Sequence, residues 1–338
     1  MKTRTYIVIA CLAAFMAFTA ADSLAINSKA GTFAYPFLKI PVGAKAPAMG
    51  GAYTGLSNDV AGLYFNPAGI TQVSGSEISG SYDNYIAGMQ AGYLSYLMPW
   101  GKKGKLGVAV NYLNYGSTPR TDASGMRTGD FGGSNVAFSL TGAWTLMSGT
   151  DDDYELAESR NENEGSLPHW NGLSLGVTAK FVYETLDVYS SDALAVDLGL
   201  LYGLKDNRTR IGVSASNLGF QLKGLSSGHK DAMPAILRAG VGHQLKAAPV
   251  VISVDAVKPF DNDFILAAGL NYTNFYPLEI RAGYSTFGQN FKTGSDKDSW
   301  GGLSFGFGLK LKKLVFDYAF VPYADLGSSH RVGISSRW

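Results

Sequence analysis

The sequence predicts an all-β protein: a transmembrane antiparallel β-barrel of about 14 strands, with an N-terminal segment held inside as a plug. Three observations predict it. Apolar residues alternate with small or polar ones at period two through most of the chain, as in strands with one apolar face. The second face is Gly, Ser, Ala, Thr and Asn, where a soluble sandwich would carry bulky charged residues. In a membrane barrel the apolar face meets lipid and the small polar face lines the lumen. Finally, short and long connections alternate along the chain, as they do at the two ends of such a barrel.

The elements follow in order. Residues 1–25 read as a signal peptide. Lys2 and Arg4 precede an apolar run from Tyr6 to Phe18, and Ser23 and Ala25 fit a cleavage site. Cleavage there removes Cys11, the single cysteine, which suits an oxidising compartment. Residues 26–75 do not alternate. They are rich in Gly and Pro yet carry Phe33, Tyr35, Phe37, Leu38, Leu63, Tyr64 and Phe65. A barrel this wide is not filled by its own side chains, so this apolar stretch is expected in the lumen as a hatch.

Residues 76–338 are the expected barrel. Its strands are 76–83, 90–98, 105–115, 134–147, 171–186, 193–204, 209–218, 235–245, 250–258, 263–273, 278–286, 299–311, 313–321 and 330–338. The clearest is the fifth. Leu173, Leu175, Val177, Ala179, Phe181 and Tyr183 share one face, with Val182 an exception on the other. An even strand number puts both ends of the barrel in the periplasm. Turns such as Lys312-Lys313 then face the periplasm, and the longer loops 116–133, 219–234 and 287–298 face outward. Connection 148–170 breaks this rule: it is periplasmic by parity but long, with seven acidic residues against Arg160. It reads as a solvated acidic loop. The last strand places Val332, Ile334, Ser336 and Trp338 on one face. Its aromatic ending is expected to serve as the signal read by the outer-membrane assembly machinery.

Composition excludes several kinds of chemistry. Charged residues are only 16%, and formal net charge is +1, so no basic surface exists for nucleic acid. A single cysteine and four scattered histidines offer no metal site, and no cofactor is expected. Two G-x-S-x-G matches, at Ser174 and Ser304, fall mid-strand, where a hydrolase elbow cannot form. The protein is therefore read as non-enzymatic. Asp197, Asp255, Glu279, Arg281 and Asp317 fall on lumen faces. They are expected to neutralise one another or solvate the interior, with a ligand role as the alternative.

The segment 26–75 carries a resemblance. Leu38, Pro41 and Gly43, then Met49-Gly50-Gly51, then Asn58-Asp59, then Asn66-Pro67-Ala68-Gly69 resemble the N-terminal signature of the PorV/PorQ outer-membrane proteins. Those lie within the wider superfamily of the long-chain fatty-acid transporter FadL. The resemblance implies a hatch-bearing barrel of the type IX secretion pathway. Such a protein would bind secreted cargo signal domains or secretion subunits through its outer loops. The alternative is a passive channel for hydrophobic small molecules. The hatch motif is then either structural or gating. Outer-membrane lipid surrounds the barrel in both cases.

Overall fold

The computed structural model describes residues 29–148, 167 and 170–338. The expected signal peptide and nearly all of the acidic connection lie outside these residues. The described strands are β1 (Glu77–Asn84), β2 (Gln90–Trp100), β3 (Gly104–Thr121), β4 (Arg127–Ser148), β5 (Gly172–Leu186), β6 (Tyr189–Gly203) and β7 (Thr209–Lys223). They continue with β8 (Ile236–Gln244), β9 (Val250–Pro259), β10 (Ile265–Phe275), β11 (Leu278–Ser285), β12 (Leu303–Leu311), β13 (Leu314–Pro322) and β14 (Ser328–Arg337). Each pairs antiparallel with the next. β14 returns to β1, with Glu77 opposite Arg337 and Asn84 opposite His330, which closes the ring.

Period-two alternation explains which side of the wall each residue takes. Leu94, Val108, Leu140, Phe181, Leu198 and Val213 point out and are exposed, whereas Ser174, Thr178, Asp197 and Ser214 point in and are buried. A continuous apolar belt around the whole ring far exceeds the patches that soluble proteins expose. Closure leaves no unpaired strand edge, the condition lipid imposes. The molecule is thus an integral membrane β-barrel. β1 begins and β14 ends at one end of the barrel, here called proximal; the other is distal. Aromatic pairs mark the proximal rim: Trp338 stacks on Tyr96 at 6.2 Å, and Trp100 meets Trp144 at 5.6 Å.

Three expectations about boundaries are corrected. Residues 116–133 are not a loop: β3 runs on to Thr121, β4 begins at Arg127, and only a short tip joins them. β2 pairs with β3 only as far as Asn114, and β5 reaches only Gly133 of β4, so this hairpin rises beyond its neighbours. Outside lipid both its faces meet water. Alternation therefore disappears there, and with it the sequence signal. Residues 219–223 likewise continue β7. The twelfth strand starts at Leu303, because Asp296–Trp300 form a 3-10 turn before it. Val182 is fully buried and packs inward with Tyr35, Phe37 and Leu38. That contact explains an apolar residue on the polar face.

Candidate functional site

Residues 34–73 are coiled against the inner wall. Their local structure is a series of single turns: Pro36–Lys39, Lys45–Ala48, Gly62–Phe65 and Pro67–Gln72. Prolines open the first and last of these, where a missing N–H costs nothing. Asn66 caps the last turn, its side-chain oxygen accepting from Ala68 N at 3.2 Å. Gly43, Gly50 and Gly51 take positive φ and turn the chain sharply between them.

The fit against the wall depends on inward-facing glycines. A Cβ at Gly283 would lie 2.1 Å from Gly50 N, one at Gly176 would lie 2.3 Å from Ala68 N, and one at Gly212 would lie 2.2 Å from Thr54 O. No side chain fits at these positions, because another backbone already occupies the space. The 42 glycines of the chain thereby gain a physical reason beyond loop flexibility.

Hydrogen bonds fix the register of this contact. Asp255 Oδ2 accepts from Tyr53 N at 2.9 Å and Thr54 N at 2.7 Å. Ser304 Oγ accepts from Gly50 N at 2.9 Å and donates to Ala48 O at 3.2 Å. Ser214 Oγ donates to Phe65 O at 2.8 Å, and Thr71 Oγ1 donates to Ser174 Oγ at 2.8 Å. Asn66 Nδ2 donates to Thr54 O and Leu200 O at 3.1 and 3.0 Å. Arg331 donates to Pro41 O, and Lys39 pairs with Asp261. The serines of both G-x-S-x-G matches thus serve as hydrogen-bonding posts within strands β5 and β12.

The segment also carries its own charged cluster. Lys45 Nζ donates to Asn58 Oδ1 at 3.0 Å and Asp59 Oδ2 at 3.2 Å, and the Tyr53 hydroxyl donates to Asp59 Oδ2 at 2.6 Å. Burial by itself lifts the Asp59 carboxyl, but the Lys45 ammonium and the Tyr53 hydroxyl outweigh it and hold the group below the ordinary range. Burial and the same carboxylate push the Tyr53 phenol well up.

The lumen carboxylates named from sequence separate into three groups. Glu279, Arg281 and Asp317 come together: Arg281 bonds Glu279 at 2.8 Å and Asp317 at 2.5 Å, and Lys310 adds to Glu279 at 2.7 Å. Asp197 stands apart, paired with Lys180 at 2.5 Å and accepting from Asn217 N at 2.7 Å. Asp255 is elsewhere again, on Tyr53 and Thr54. Of the signature residues, Leu38, Met49, Asn66, Pro67, Ala68 and Gly69 are buried. Leu38 O accepts from the Tyr64 hydroxyl at 3.0 Å. A Cβ at Gly69 would lie 2.2 Å from that of Ser57, and one at Gly199 of the wall would lie 2.2 Å from Asn66 Oδ1 and 2.8 Å from Pro67 Cδ. Among the described residues no group of three metal-ligating side chains occurs.

Distal to the segment lies a cavity of about 450 Å³. Phe37, Ile40, Pro41 and Phe65 form its floor, and Met89, Ile236, Phe287 and Phe291 line its sides. Arg238 enters from the wall, stacked over Tyr64 at 5.5 Å. Tyr85, Tyr323, Phe291 and Phe287 meet edge to face at its mouth. The cavity and its two arginines, Arg238 and Arg331, went unassigned in the sequence. Inward parity would have found both side chains. Their convergence required the tertiary register.

Solved structures of similar fold are known. The Pseudomonas putida toluene transporter TodX superposes with a TM-score of 0.56 at 14% identity, over 88% of this chain and 98% of that one. The Ralstonia pickettii toluene transporter TbuX gives 0.56 at 13%, over 88% and 98%. A Pseudomonas aeruginosa FadL homologue gives 0.50 at 12%, over 87% and 95%. The chain shares their fold. No protein-family model matches the sequence, and no curated protein does.

Proposed function

We propose that this protein is a passive outer-membrane channel for hydrophobic small molecules, with residues 34–73 as an internal hatch and the distal end facing outward. The observation that carries the reading is the cavity: apolar-sided, open toward the distal mouth and floored by the segment that fills the lumen. A molecule entering there leaves water for aromatic and aliphatic walls, gaining roughly 25 cal/mol per Å² of apolar surface buried. Its route onward is closed by the segment. The signature residues are then the parts that shape and seat the hatch. The shared fold of TodX and TbuX, named as toluene transporters, supports this reading over a secretion role.

A second reading rests on the N-terminal signature and on the hairpin of β3 and β4, which rises beyond its neighbours. It makes the protein a PorV/PorQ-type barrel binding secreted cargo domains or secretion subunits at that rim. One paired experiment separates the two. Uptake of toluene is measured in cells with and without the protein, and the protein is affinity-purified from solubilised outer membrane. The channel reading expects faster uptake and no stoichiometric protein partner. Unchanged uptake together with recovered cargo would establish the secretion reading instead.

A further inference from the structure

Among the described residues, the buried carboxylates have their charge met, with one exception. Glu77, Asp83, Asp197, Asp261 and Glu279 each pair with a lysine or arginine, and Asp255 accepts two backbone N–H groups. Glu184, near the distal end of β5, is the exception. It is 8% exposed and accepts the Ser191 hydroxyl at 3.1 Å, but it pairs with no lysine, arginine or histidine of the described residues. Asp231, the charge that acts on it most, is negative as well. A buried carboxylate in this state is strongly disfavoured, and it is relieved by a proton or by a cation.

The groups around Glu184 are oxygen donors. Register sets Asn135 of β4 and Ser191 of β6 directly opposite it, one on each side. The Asn135 amide flanks the carboxylate. Its Nδ2 donates to the Tyr115 hydroxyl at 2.9 Å, while its Oδ1 is buried with no hydrogen bond. Tyr35 comes in from the N-terminal segment, fully buried in one cluster with Val182 and Ala193. Its hydroxyl faces Ser191, Gln221 and Glu184, and it too has no hydrogen-bond partner. We infer that Glu184, Asn135, Ser191 and Tyr35 hold a hard monovalent cation, of which sodium is the type. One carboxylate balances one positive charge, whereas tight divalent sites gather several. Oxygen donors alone select a hard ion over zinc or copper. A proton on Glu184 would serve one acceptor; a cation meets the carboxylate, the Asn135 carbonyl and the Tyr35 oxygen together. Tyr35 belongs to the segment and the other three to the wall. The ion therefore ties the distal end of the segment to β4, β5 and β6, whatever crosses the barrel.

The test is urea unfolding of the purified protein in detergent, with sodium chloride replaced stepwise by choline chloride at constant ionic strength. An ion bound by the folded state alone lowers the unfolding equilibrium constant about tenfold for each tenfold rise in sodium above half-saturation. Choline, which is far larger and carries no compact charge, should give no such slope. Glu184→Gln keeps the shape and removes the charge, and should abolish the sodium slope. Tyr35→Phe should move half-saturation to about tenfold higher sodium, a shift that lost packing alone would not produce. Sodium and choline acting alike on the unaltered protein would overturn the inference and mark Glu184 as a protonated acid. An unchanged sodium slope in Glu184→Gln would overturn it as well. So would stabilisation by calcium, at equal ionic strength, where sodium has no effect.

Discussion

Gly283→Ala tests the seating of the N-terminal segment most sharply, because its effect follows from distances. The added Cβ would lie 2.1 Å from Gly50 N and 2.2 Å from Met49 C, both backbone atoms. Ordinary contact needs the segment to retreat by roughly 1 Å at that point. Overpacking of this kind costs about 1–3 kcal/mol. Retreat also strains the Ser304 bonds to Gly50 N and Ala48 O, at 2.9 and 3.2 Å. Each is a net contribution of about 0.5–1.5 kcal/mol. The sum is a destabilisation of about 2–6 kcal/mol. The matched control is Gly333→Ala, also on an inward face, where the nearest atoms lie at 3.8 and 3.9 Å. It should change stability by less than about 0.5 kcal/mol. Urea unfolding in detergent, followed by tryptophan fluorescence, reads both. Equal stability of the two variants would refute the close approach of segment and wall.

Other predictions follow from the same contacts. Asn66→Ala removes bonds to Thr54 O, Leu200 O and Ala68 N, and should cost about 2–4 kcal/mol in the same urea assay. Asp59 is held below the ordinary carboxylate range, so its stabilising contribution is complete above about pH 4 and is lost as pH falls through its lower folded value. Asp59→Asn should flatten the acid limb of a melting-temperature profile; an unchanged limb would remove the Lys45–Asp59 cluster from the account. Deleting Trp338 removes the stack on Tyr96 and the mutual backbone bonds with Ser76, at 2.8 and 3.0 Å. It should lower the yield of membrane-inserted protein in a cell-fractionation assay, and full insertion would contradict the role assigned to this ending.

The barrel was legible because lipid imposes a strict rule on each strand. Residues such as Leu173 to Tyr183 must alternate, and parity then orders the connections. The rule ends where the membrane ends, which is why the hairpin above Asn114 and Gly133 reads as loop. Inside the lumen, the sequence marks which residues face inward but not which meet. Glu279, Arg281 and Asp317 converge because β11 and β13 both flank β12 in register, with Gly308 between Glu279 and Asp317. Asp197 finds Lys180 instead, on the neighbouring strand. Val182 looked like an error in the pattern until Tyr35 and Phe37 supplied its partner. The cavity has no sequence signal at all, since its floor and walls come from residues more than 200 positions apart, such as Phe37 and Phe287.

A reversible tether between the segment and the wall tests the channel account most directly. A Cβ at Gly333 would lie 3.9 Å from that of Ala44, within the spacing of about 3.5–4.5 Å that a disulfide spans. Ala44→Cys with Gly333→Cys therefore pins the N-terminal segment to β14 without displacing it. Toluene uptake into cells carrying the oxidised double variant should fall to the level of cells lacking the protein, and a reductant should restore it. Uptake that proceeds equally with the tether closed and open would contradict a hatch that must move for the channel to conduct.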